Sequence, residues 1–183
     1  TKYISLGNNC VPALTMEDLN IKTETLPFDW VPNTIQIVLD CLETNFQHFT
    51  NFSHKTPNLQ LNQELIEFQQ YNYPTFPQSH INYYHNWFVH DTEKSIPLLT
   101  DTLQRRCQRF LELLGSNENL VFVYTNEHAI YVDRYFQNQD LYYDCLKKIE
   151  DIIKSRRQNF KIHAFHLNKN YPETQHIKNF NIE

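Results

Sequence analysis

A chain of 183 residues is long enough to bury a core without disulfides or a structural metal, and 40% hydrophobic with 14% aromatic residues reads as one globular domain, not a disordered segment. A formal net charge of −5 excludes the broad basic face that extended contact with nucleic acid needs. No apolar run approaches the ~18–20 residues that span a bilayer, and no basic region followed by an apolar segment opens the chain. A soluble cytoplasmic protein, not bound to a membrane, is therefore expected.

The first element is a short strand, Tyr3-Ile4-Ser5-Leu6, and the next a helix from about Pro12 to Leu19, with proline suited to its first turn. Between them stand Gly7, Asn8, Asn9 and Cys10. Leu26-Pro27-Phe28-Asp29-Trp30-Val31-Pro32-Asn33 follows as a rigid aromatic loop, since its prolines exclude a helix interior. From Thr34 to Phe49 the apolar residues Ile35, Val38, Leu39, Leu42, Phe46 and Phe49 fall at helical spacing, with Asn33 or Thr34 as the cap. From about 50 to 85 periodicity fades. Pro57, Pro74 and Pro77 punctuate an irregular excursion, with at most a short helix or strand around Leu61 to Phe68.

The run Asn86-Trp87-Phe88-Val89-His90-Asp91 reads as a strand that ends on two reactive side chains. A helix from about Ile96 to Leu114 carries Leu99, Leu103, Cys107, Phe110, Leu111 and Leu114 on one side, with Arg105, Arg106 and Arg109 elsewhere, and stops at Gly115. Then come a strand at Leu120–Tyr124, a loop beginning Thr125-Asn126, a helix near Asp140 to Ser155, a strand at Lys161–Leu167 and an irregular polar tail. Strand–helix–strand alternation predicts a three-layer α/β fold, a largely parallel sheet with helices on both faces. Ligands of such sheets bind beyond the carboxyl ends of the strands, where Cys10, His90 and Asn126 would gather.

Cys10, Cys41, Cys107 and Cys145 lie far apart, without C-x-x-C spacing, so neither zinc nor a disulfide framework is expected. Cys41, Cys107 and Cys145 fall within amphipathic helices and read as buried small hydrophobes. Cys10 stands at a helix N-terminus, where the macrodipole and free backbone N–H groups favour a thiolate and then an oxyanion. His90 is the candidate base. Asp91 can orient it only if the strand ends there, because neighbouring strand residues face opposite ways. Asp29 is the other candidate orienter, or else ties down backbone N–H groups in its proline-rich turn. Asn8 and Asn9 could serve an oxyanion hole with Gly7, or form the turn. Arg106, Arg109 and Trp30 are candidate ligand contacts, although the arginines can equally pair with Asp29 and Asp91. Two glycines cannot supply a dinucleotide fingerprint, and neither a metal nor another cofactor is expected.

The motifs Ile4-Ser5-Leu6-Gly7-Asn8-Asn9-Cys10, Leu26-Pro27-Phe28-Asp29-Trp30, Phe88-Val89-His90-Asp91 and Arg105-Arg106-x-x-Arg109-Phe110 together resemble a family of papain-like cysteine peptidases found in bacteria and large DNA viruses. The resemblance implies a cysteine hydrolase or acyltransferase with Cys10 as nucleophile and His90 as base. Its substrate would be a peptide, an isopeptide, another amide or a thioester, and a viral member would work in the host-cell cytoplasm. It also implies a papain-like α+β fold as the alternative to the parallel sheet. The opening resembles, too, the small-serine hydrolases of flavodoxin-like fold, with Cys10 in place of serine. Two further readings stay open: an α/β domain that binds or transfers a small anionic or sugar ligand at the same edge, and a non-catalytic module that meets a protein partner through its tyrosine-rich stretch at Tyr71 to Tyr84.

Overall fold

The computed structural model describes residues 1–7, 10–30, 33, 35–47, 49–50, 52–58, 63–68, 84–85, 96–127, 139–167 and 177–180, by backbone alone over 52–58, 63–68, 84–85, 139–141 and 177–180 and at a few element ends. In chain order the elements are β1 (Lys2–Gly7), α1 (Val11–Asp18), α2 (Ile35–Glu43), β2 (Phe52–Asn58), β3 (Gln63–Phe68), β4 (Tyr84–His85), α3 (Ile96–Leu114), β5 (Leu120–Glu127), α4 (Gln139–Arg156), β6 (Phe160–Leu167) and β7 (Ile177–Phe180). The main sheet has the order β1-β5-β6-β7. β5 runs parallel to both its neighbours, Ile4 opposite Phe122 and Phe122 opposite Ile162, while β7 pairs antiparallel with β6. The architecture is α/β with a largely parallel sheet, as the alternation of elements predicts.

Side-chain alternation decides which face of the sheet holds the core. Ile4 and Leu6, Leu120, Phe122 and Tyr124, and Ile162 and Ala164 all point one way and are buried together. The steps β1 to β5 and β5 to β6 move in the same direction across the sheet, and the helices that precede β5 and β6, α3 and α4, both pack on this one face. There α3 contributes Leu99, Leu103 and Phe110, α4 contributes Tyr142, Leu146, Ile149 and Ile153, and α2 joins them with Ile35, Val38 and Leu42. Phe110 is the hub: its ring centroid lies 5.3 Å from that of Phe46, 5.8 Å from Phe28 and 6.2 Å from Phe122, the spacing at which aromatic pairs attract beyond their area burial. α1 packs instead on β1 and β5, with Pro12, Ala13 and Met16 buried apart from that cluster. Ser5, which faces away from Ile4 and Leu6, is buried as well, so the second face is covered where α1 lies.

Four boundaries differ from the sequence reading, each for a local reason. α2 stops at Glu43, not near Phe49, because Asn45 and Phe46 take left-handed backbone (φ 51° and 63°) and the Phe46 N–H closes on the Cys41 carbonyl at 2.7 Å, a Schellman-type ending. This turn swings Phe46 and Phe49 back onto Phe28, so their helical spacing reflects shared burial without a shared helix. The excursion at 50–85 holds a three-stranded antiparallel sheet, β2-β3-β4, in which β3 matches the apolar run near Leu61–Phe68 while the largely polar β2 carries no alternation to read. β5 continues through Thr125 and Asn126 to Glu127, paired with β6 to its end. The polar tail forms β7, held by pairing with the edge of β6, a tertiary choice over weak strand propensity.

Candidate active site

At the Gly7 end of β1 the backbone is fixed by its pairing register, by its own conformation and by two hydrogen bonds. The register against β5 shifts between Ser5 and Gly7, so that Gly7 faces Tyr124. Gly7 adopts φ +85°, a conformation open to glycine and strained for any other common residue, and its N–H donates to Ser5 Oγ at 3.0 Å. Asn33, 2% exposed, donates from Nδ2 to the Leu6 carbonyl at 3.1 Å, and its amide lies so close over Gly7 that a Cβ there would sit 2.3 Å from Nδ2.

Cys10 takes up the chain at the N-cap of α1, with φ −77° and ψ −9°. Its carbonyl accepts the Leu14 N–H at 2.9 Å, which closes the first turn, and Pro12 stands in that turn, where its missing N–H costs nothing. The thiol makes no capping hydrogen bond and is exposed. The other three cysteines are buried. Burial pushes the Cys107 thiol up to about 12 and the Cys145 thiol up to about 11, and it raises Cys41 well above the usual thiol range. Of the four sulfurs, only that of Cys10 combines solvent access with the strand–turn–helix setting of a nucleophile.

The Leu26–Trp30 loop is built from both sides. Leu26 and Phe28 are buried in the core, while Asp29, 1% exposed, accepts the Leu26 N–H at Oδ2 (2.8 Å) and pairs with Lys22 Nζ at 3.3 Å. Burial raises the Asp29 pKa above the usual carboxylate range, against the opposing pull of the Leu26 N–H, Lys22 and Arg106. Lys22 also reaches Glu17 at 2.7 Å and lies 4.5 Å from the centre of the Trp30 ring, a cation–π contact. From α3, Arg109 Nη1 donates to the Thr25 carbonyl at 3.3 Å, and Arg105 Nη2 to Thr102 Oγ1 at 3.3 Å. The arginine motif thus meets the Asp29 loop, and Asp29 performs the turn-binding role that its sequence context allows.

Gly7, Cys10 and Asn126 come to one edge. Asn126 stands two positions past Tyr124, the partner of Gly7, and faces His166 of β6 at the carboxyl end of the sheet, where the backbone alone is described. Asp29, Trp30, Arg106 and Arg109 form the neighbouring loop-and-helix cluster. Asn8, Asn9, His90 and Asp91 lie outside the described residues. Asn33 is the residue that sequence reasoning passed over: read as a helix cap, it sends its amide nitrogen to the end of β1, and its only sequence signal is a polar residue ahead of an apolar helix. Among the described residues no group of three His, Cys, Asp or Glu side chains is placed to hold a metal ion, and no helix is long and apolar enough to cross a membrane. A cavity of about 530 Å³ beside Tyr3, Asn119, Asn159 and His163 opens at the amino ends of the strands, away from Cys10.

No solved structure matches the chain. Among curated proteins, it is similar to Uncharacterized protein R408 of Acanthamoeba polyphaga mimivirus, 27% identical over an alignment of 135 residues, with 67% of this chain and 60% of the relative covered. The chain therefore spans less than two thirds of that relative's length. Residues 1–170, a stretch that includes Gly7 and Cys10, the Asp29 loop and the arginine helix, match one family model, and the chain belongs to that family, described as "putative papain-like cysteine peptidase".

Proposed function

We propose that the chain is a cysteine-dependent hydrolase or acyl transferase that acts on an amide, isopeptide or thioester carbonyl at the carboxyl edge of the main sheet. The observation that carries this reading is Cys10 itself: exposed, unengaged in capping, at the first turn of α1 and three positions after Gly7 of β1. His90, assigned from sequence, takes the thiol proton as the Cys10 sulfur attacks the carbonyl carbon. Backbone N–H groups after Gly7 receive the developing oxyanion. The tetrahedral intermediate collapses as the leaving amine or thiol departs with the proton from His90, and water or an acceptor amine then releases the acyl group from sulfur. Asp91 is the favoured orienter of His90, because Asp29 Oδ2 is already engaged by Leu26 and Lys22.

Iodoacetamide labelling followed by peptide mass mapping tests the reading without knowledge of the substrate. Cys10 is expected to react at pH 7 far faster than Cys41, Cys107 and Cys145, and slow modification of Cys10 would overturn it. With a panel of amide and thioester substrates, Cys10→Ala should abolish turnover and His90→Ala lower it by about 10²–10⁴-fold. The competing reading, a site that binds or transfers a small anionic ligand, loses part of its support because Arg109 donates to the Thr25 carbonyl.

A further inference from the structure

We propose that Asn33 is a positioning residue that fixes the Leu6–Gly7 end of β1, from which the chain leads to Cys10, a role that rests on the reading of Cys10 as the nucleophile. A strand that ends in a left-handed glycine has no intrinsic direction beyond that point, since glycine occupies several regions of backbone space at similar cost. Something outside the strand must choose one. At Gly7 the choice is made from two sides. Ser5 Oγ accepts the Gly7 N–H from within the strand, and Asn33, 26 positions later in sequence, holds the preceding peptide through the Leu6 carbonyl at 3.1 Å. The planar amide of Asn33 lies flat against the Gly7 Cα, with Nδ2, Cγ and Oδ1 at 2.3, 2.9 and 3.0 Å from the place a Cβ would take. Contact this close makes Gly7 and Asn33 a matched pair: the amide fills the space that any side chain at position 7 would need, and only glycine leaves it free.

Asn33 is itself firmly held. It is 2% exposed and stands between the Leu26–Trp30 loop, anchored by Leu26 and Phe28 in the core, and the first turn of α2, anchored by Ile35 and Ile37. A buried amide passes the placement of its own segment to whatever it binds, here the Leu6–Gly7 peptide, three residues before Cys10. The Leu26–Trp30 motif and the glycine–cysteine motif, separate in sequence, are thereby joined through one side chain. Arg109 of α3 donates to the Thr25 carbonyl just ahead of that loop, so the third motif meets it as well.

The composition of the chain supplies a direct test. With two glycines, Gly7 and Gly115, a protein labelled with ¹⁵N-glycine gives two amide peaks, one at the site and one at the far end of α3. In Asn33→Ala the Gly7 peak should shift or broaden while the Gly115 peak stays, and Cys10 alkylation should slow by about tenfold or more with Cys41, Cys107 and Cys145 still protected. In Asn33→Asp the carboxylate cannot donate to the Leu6 carbonyl, but its acid form can. The Gly7 peak should therefore be displaced at neutral pH and return towards the wild-type position on acidification, which a purely space-filling role would not produce. An unmoved Gly7 peak in both variants overturns the proposal. If Gly7 responds while wild-type Cys10 is itself unreactive, Asn33 positions the turn and the nucleophile reading fails, so the two failures are told apart. Loss of protection at the buried cysteines in Asn33→Ala moves the decision to the pH response of Asn33→Asp.

Discussion

Burial acts in the same sense on thiol and carboxylate, disfavouring the anion of each. It removes Cys41, Cys107 and Cys145 from chemistry and leaves Cys10 as the accessible thiol, and it makes Asp29 a costly anion. Asp29 carries a testable signature. Because its folded pKa is raised above the unfolded value, the native state binds a proton more readily, and stability falls as pH rises from the usual carboxylate value of ~3.9 through the raised one. Asn at this position keeps an acceptor for the Leu26 N–H and has no proton to lose. Urea midpoints of the wild type and Asp29→Asn, compared from pH 4 upward, should show the wild type losing ground to the variant as pH rises through that window. A wild-type advantage that grows with pH over the same range would contradict the assignment of burial as the dominant influence. Asp29 also illustrates what a sequence withholds: a carboxylate between Phe28 and Trp30 suits a catalytic orienter and a turn brace equally, and only the 2.8 Å contact to Leu26 shows the second role.

At the level of elements, the loops that enter the parallel strands depend on one side chain. Arg157, buried at the end of α4, donates to the Leu113 carbonyl at 2.7 Å, to the Asn159 carbonyl at 3.1 Å and to the Glu118 carbonyl. It thus ties the turn before β5 to the turn before β6. Arg157→Ala should destabilise the protein by about 2–3 kcal/mol, the scale of a charged hydrogen-bonded group removed from buried acceptors, as read from the shift of the urea midpoint. Arg157→Lys should recover little, since an ammonium lacks the planar fork that reaches several carbonyls at once; full recovery would show that charge alone matters here. The helices themselves are the most legible elements. α3 begins and ends within the predicted Ile96–Leu114 span, because its apolar stripe is long and Gly115 follows it, whereas α2 is overestimated because Phe46 and Phe49 keep helical spacing after the backbone has turned.

For the molecule as a whole, β5 is the element on which the sheet depends, with parallel partners on both sides and Phe122 and Tyr124 in the core. Native-state hydrogen exchange should find the amides of Phe122, Val123 and Tyr124 opening only with global unfolding, at the free energy measured by urea, while β1, at the sheet edge, opens at lower cost. Faster exchange in β5 than in β1 would show that the sheet is not the cooperative unit. The parallel sheet also bears on the family to which the chain belongs. A papain-like label leads one to expect an antiparallel second half, yet β5 and β6 run parallel, so the family's cysteine sits on an α/β frame.

The sequence by itself determined the order and type of the principal elements, the α/β class and the singular position of Cys10 between a strand and a helix. These follow from local periodicity, from proline and glycine placement and from the short range over which helices and strands form. Tertiary structure alone decided the left-handed stop at Phe46, the pairing of the polar tail as β7, the commitment of Asp29 and Arg109 to one loop, and the crossing of Asn33 onto Leu6 and Gly7. Each depends on contacts between segments distant in sequence, whose geometry no local pattern encodes.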